Sequence, residues 1–166
     1  MSTIKVNNLQ DTSGNNLTRI GQVVHTAKTS EFTNTSTSYV DVTGLSATIT
    51  PQTSSKILAI VEIQTYQDFD DNEGYGMQLV RTPSGGSGTN VFTSANKYDV
   101  YGYTNFTGEQ IQGAFRSDWH ILDSSVGGDG STAITYKVQV AGWTSSMIRF
   151  SQDGNRSSIT LMEILQ

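Results

Sequence analysis

The densest cluster of potentially reactive side chains is Tyr98-Asp99-Val100-Tyr101-Gly102-Tyr103-Thr104-Asn105-Phe106. In an extended chain alternate side chains share a face, so Tyr101, Tyr103 and Asn105 project together, and Asp99 adds a carboxylate. Aromatic faces cover the C–H side of a pyranose while amides and carboxylates take its hydroxyls. Tyr101, Tyr103, Asn105 and Asp99 are therefore the candidate glycan contacts. The same rings would also serve a small β core.

A second group, Asp68-Phe69-Asp70-Asp71-Asn72-Glu73-Gly74, comes nearest to a metal motif. Asp68, Asp70 and Asn72 have the D-x-D-x-N spacing that lets alternate oxygens converge on a hard cation. Glycine comes one place late for a helix–loop–helix calcium loop, and Leu79 stands where that loop has a bidentate glutamate. The spacing suits a solvated hairpin tip, or at most a weak Ca²⁺ site. His25 and His120 lie far apart, and His120 shares a strand face with Asp118 and Arg116 in a polar pattern that offers no nucleophile. Pro83-Ser84-Gly85-Gly86-Ser87-Gly88 lacks the Gly-Lys-Ser/Thr and the helix of a phosphate loop. No paired carboxylates stand outside 68–73, so neither an enzyme nor a cofactor is expected.

The elements that must position these groups read as strands. Period-2 apolar runs predict Val23–Lys28, Tyr39–Thr43, Leu45–Thr50 and Lys56–Tyr66, with a polar loop over Thr29–Ser38. Tyr75, Met77 and Leu79 share a face, as do Phe115, Trp119 and Ile121 within Gln112–Leu122, and Ile134 to Val140 gives the cleanest alternation. Ile111, Phe115 and Trp119 also fit a helix, but Gly113 and the glycine-rich stretch that follows favour a strand. Ser157–Leu165 closes the chain, and its apolar phase changes between Leu161 and Met162 as at a bulge. Asp129-Gly130 and Asp153-Gly154 mark turns. In Lys56–Tyr66, Ile57, Ala59, Val61 and Ile63 form one apolar face and Leu58 and Ile60 a second. Such a strand is covered on both sides, by a second sheet and by another protomer or a loop.

The 166 residues fit one domain, with residues 1–20 as a short extended segment and 21–166 as an antiparallel β-sandwich, jelly-roll-like and all-β. The net charge of −5 and scattered Lys and Arg argue against a nucleic-acid surface, and the absence of cysteine excludes disulfide frameworks and thiolate chemistry. The polar opening MSTIKVNNLQDTSGNN carries no apolar run for a signal peptide or membrane insertion.

The run TSYVDVTGLSATITPQTSSKILAIV, with ITYKVQV and SSITLMEI downstream, resembles a recurring β-domain of tailed bacteriophages, cyanophage fibre-type proteins foremost. The resemblance implies a virion protein forming a homotrimer, with adhesion to host surface polysaccharide as its role. It also implies that residues 1–20 attach to other virion proteins or start the trimer. Leu58 and Ile60 are then the candidate trimer interface. A trimeric capsid decoration or cement protein is the alternative, and a polysaccharide depolymerase a more distant one.

Overall fold

Alternate burial builds the molecule. In β4 (Lys56–Phe69), Ile57, Ala59, Val61 and Ile63 are completely buried, while Leu58 and Ile60 are half-exposed on the opposite face. A computed structural model describes residues 12–14, 20–69, 73–102, 111–145 and 147–166, apart from the side chains of 68, 69, 111 and 112. Strands assort into two antiparallel sheets. The first runs β1 (Ile20–Lys28), β11 (Ser157–Ile164), β4, β10 (Ile148–Phe150) and β2 (Phe32–Asn34), with β8 (Ile111–Asp123) along the other edge of β4. The second runs β3 (Val40–Ile49), β9 (Ile134–Gly142), β5 (Glu73–Pro83) and β6 (Thr89–Thr93), with β7 (Val100–Gly102) beside the start of β5.

The chain crosses between the sheets repeatedly, as in a jelly roll, and the facing sides interlock Ile57, Ile63, Tyr75, Leu79, Tyr136 and Phe150, all fully buried. Each such side chain contributes about 1.5–3 kcal/mol relative to exposure. The strand reading of Ile111–Asp123 holds, since it pairs residue for residue with β4.

Several local expectations change. Tyr39–Thr43 and Leu45–Thr50 form a single strand, β3, whose register shifts where Gly44 takes a positive φ of 84°. The expected bulge between Leu161 and Met162 is absent, because β11 pairs with β4 without interruption from Ser158 to Ile164. Leu161 points inward and Met162 outward, so both faces of the strand carry apolar groups. Thr29–Ser38 is not wholly loop: Phe32 enters β2 and its ring lies 5.9 Å from that of Phe150. β4 and β5 belong to different sheets, so these two strands do not form the hairpin expected on either side of the acidic segment.

One end of the sandwich gathers Ile20, Lys56, Asp123 and Ile164, and the other gathers Phe69 and Ile111. At the first end Glu163, 1 % exposed, accepts from Gln22 N (3.1 Å), Gln22 Nε2 (3.2 Å), Gln52 N (2.6 Å) and Ser55 Oγ (2.7 Å). Gly21 permits this, since a Cβ there would lie 2.4 Å from Glu163 Oε2. Burial opposes ionisation of Glu163, but the hydrogen bonds outweigh it and hold the carboxyl below its ordinary value. A depressed folded-state value gives stability that is complete above the ordinary glutamate range and is lost as pH falls through the folded value. Urea unfolding at stepped pH should therefore show an acid-side loss that Glu163→Gln flattens; parallel profiles would exclude this latch.

Candidate functional site

Tyr101, the middle residue of β7, pairs with Gly74 of β5, and the Trp143 N–H donates to Gly74 O at 2.8 Å from the other side. Glycine is required between them, because a Cβ would lie 2.3 Å from Val100 O and 3.0 Å from Tyr101 Cδ2. Tyr98 stacks on Trp143 with centroids 4.8 Å apart and planes at 30°. Tyr101 stands edge-on to both, 4.8 Å from Tyr98 and 6.2 Å from Trp143. The rings nevertheless remain 48 % (Tyr98), 41 % (Tyr101) and 39 % (Trp143) exposed. Exposed, mutually braced rings on glycine-spaced backbone form a ready-made apolar surface with phenol and indole edges in water.

The segment under Tyr98 is firmly tied. Ser94 N donates to Met77 O at 2.9 Å, Asp99 N to Tyr75 O at 3.1 Å, and the Lys97 ammonium to Thr37 O. A Cβ on Gly76 would sit 2.6 Å from Lys97 Cα, so this segment lies directly on the backbone of β5. Asp99 belongs to this clamp. Its Oδ2 accepts from Met77 N at 2.7 Å and from the Ser94 hydroxyl, and burial raises its carboxyl above the ordinary range despite these bonds and the nearby Trp119 indole.

Of the four candidate glycan residues, then, Tyr101 joins the exposed ring cluster and Asp99 is spent on the Met77 N–H and the Ser94 hydroxyl. Tyr103 and Asn105 lie outside the described residues. Tyr98 belongs to the aromatic run singled out in the sequence, though not to its four candidate contacts, and Trp143 lies outside that run. Alternation gives no signal for Trp143, because it lies beyond β9 and Ala141, at the parity of the outward Thr135, Lys137 and Gln139, is completely buried. Asp70, Asn72 and the side chain of Asp68 also fall outside the described residues, and among those described no three His, Cys, Asp or Glu could hold a metal.

Leu58 and Ile60 sit on the outer face of the first sheet, where the register aligns side chains in rows. One row is Val23–Met162–Leu58–Leu122, and the next is His25–Thr160–Ile60–His120. Val23 and Leu122 are 57 % and 52 % exposed, so the apolar row crosses four strands uncovered within the chain.

No family model and no curated protein matches the chain. Among solved structures it is similar to one of infectious bursal disease virus, Gx strain, at 14 % identity and TM-score 0.44, covering 98 % of this chain and 43 % of that one. It is also similar to the VP2 subviral particle of infectious bursal disease virus, at 13 % identity and TM-score 0.32, covering 87 % and 41 %. The chain thus spans less than half the length of the solved structures it matches.

Proposed function

We propose that this protein is a virion structural component that assembles as a homotrimer and adheres to host surface glycans through the Tyr98–Tyr101–Trp143 rings. The observation that carries the reading is the bipolar layout. The chain enters β1 at the Lys56 end, whereas the ring cluster lies at the opposite end, beside Gly74. At about 3.3 Å per residue, β4 separates these ends by roughly 43 Å. Residues 1–20 would attach the domain to other virion proteins and leave the rings pointing away from the particle.

The bacteriophage-like wording of Thr37–Val61 supports the virion assignment, and the exposed row through Leu58 supports self-association. Trimerisation would multiply a weak site, since linked sites gain avidity of about 10²–10⁴ without new contacts. Tail-fibre and head-decoration roles differ in what the rings touch: in a decoration protein the rings would be dispensable.

Trp143→Ala removes the ring on which Tyr98 stacks. It is expected to weaken binding of the purified protein to host cells by about thirtyfold, as loss of an interfacial tryptophan worth about 2 kcal/mol would. Unchanged binding with an intact fold would favour the decoration reading over adhesion.

A further inference from the structure

β8 is the longest strand with an open edge. It pairs with β4 along its whole length, and among the described residues no strand pairs with its other side. At the opposite seam of the sandwich β1 packs along β3, but here the facing strand β6 is only Thr89–Thr93. A cleft of about 270 Å³, bordered by Asn90, Val91, Leu122 and Ser125, lies between β6 and the end of β8. An unpaired edge presents a row of backbone donors and acceptors to any strand that can approach, and natural edges are blunted by proline, bulges or charged side chains, lysine above all. Ile111–Asp123 contains neither proline nor lysine, and the charges at its centre, Arg116 and Asp118, are of opposite sign.

The sequence at the centre of this edge is its own antiparallel complement. Phe115-Arg116-Ser117-Asp118-Trp119 reads aromatic, cation, hydroxyl, anion, aromatic in one direction, and the reverse exchanges only the charges. Antiparallel pairing of two such strands about Ser117 sets Arg116 opposite Asp118 twice and Phe115 opposite Trp119 twice. Opposite charges and aromatic pairs are the combinations that favour cross-strand contact. Moving the pairing centre by one residue, to Arg116 or Asp118, is a register shift of two that sets that charge opposite its own copy, and is disfavoured. Arg116 and Asp118 are both exposed and hence available.

We propose that the β8 edge pairs antiparallel with β8 of a second copy of this chain, about a two-fold axis through Ser117, joining two first sheets into one. This contact goes beyond the trimer reading and is independent of it, because it uses backbone at an edge where the trimer uses the outer face of the sheet.

The chain has no cysteine, so an introduced thiol reports without background. About the two-fold axis, Ser117 faces its own copy at roughly 4.5–5.5 Å between Cα atoms, within the range a disulfide spans. Ser117→Cys in the full chain should oxidise to a covalent dimer at dilute concentration at least tenfold faster than Thr48→Cys, a thiol on the exposed face of β3. Arg116→Asp in the Ser117→Cys background should abolish that excess, and adding Asp118→Arg should restore it. Restoration separates charge pairing from damage to the fold. Equal rates for Ser117→Cys and Thr48→Cys, or a charge swap that restores nothing, would overturn the two-fold contact. Repeating the assay with Leu58→Asp separates the two associations: the crosslink survives loss of the trimer if both readings hold, and its disappearance there assigns the contact to the trimer and refutes an independent two-fold.

Discussion

Asp123→Ala is expected to destabilise the fold by about 3–5 kcal/mol, the usual consequence of removing one partner from a buried ion pair. Asp123 is 4 % exposed at the end of β8, and Arg81 Nη1 from β5 donates to both of its oxygens at 2.6 Å. The Tyr136 hydroxyl from β9 donates to Oδ2 at 2.8 Å, and Ser125 N to Oδ1 at 3.1 Å. One carboxylate thus ties β8 of the first sheet to β5 and β9 of the second. Alanine would leave a guanidinium and a buried phenol without their acceptor, and a buried donor left unmade costs more than its bond contributes. Chemical denaturation gives the value directly. Asp123→Asn, which keeps an acceptor but not the charge, should fall between alanine and wild type. A loss under about 1 kcal/mol for Asp123→Ala, within the range of an exposed ion pair, would show that the two sheets do not depend on this tie.

The other large effect concerns association. Leu58 lies between Met162 and Leu122 in the row of exposed apolar groups, and its side chain reaches no part of the core. Leu58→Asp should therefore leave the single chain folded while removing the factor of three from the mass, and the unfolding midpoint should lose its dependence on trimer concentration. Light scattering should read three chains, or multiples of three, for the wild type. For the variant it should read one chain, or two where β8 pairs. A charge in the centre of a buried apolar contact costs several kcal/mol unless paired. A wild-type protein that is a single chain at high concentration would remove the trimer from the account, and the row through Leu58 would then be an ordinary wet face.

Period-2 alternation made the inner faces legible: Ile57 to Ile63, Tyr75 to Leu79 and Ile134 to Val140 all point where the pattern puts them. The outer apolar face was legible in β4 for the same reason. In β11 it reads as a bulge, because an outward Met162 looks like a phase change when its neighbours Leu58 and Leu122 are distant in sequence. Sheet membership was not legible. Whether the link from β4 to β5 turns back or crosses over depends on which strands each meets, and turn residues do not encode that.

The candidate site was half legible. Tyr101 was visible as one of a run of rings, but its partner Trp143 lies 42 positions on and reaches it only because both flank Gly74. Asp99 shows the opposite failure. A carboxylate beside tyrosines suggests a hydroxyl ligand, yet this one accepts from the chain's own Met77 N–H and Ser94 hydroxyl.

Imaging of intact particles that carry this chain, at a resolution sufficient to orient the sandwich, tests the central claim most directly. The account predicts the Lys56 end with residues 1–20 against the particle and Tyr98, Tyr101 and Trp143 facing outward. Rings buried against another virion protein, or the Lys56 end turned away from the particle, would contradict it.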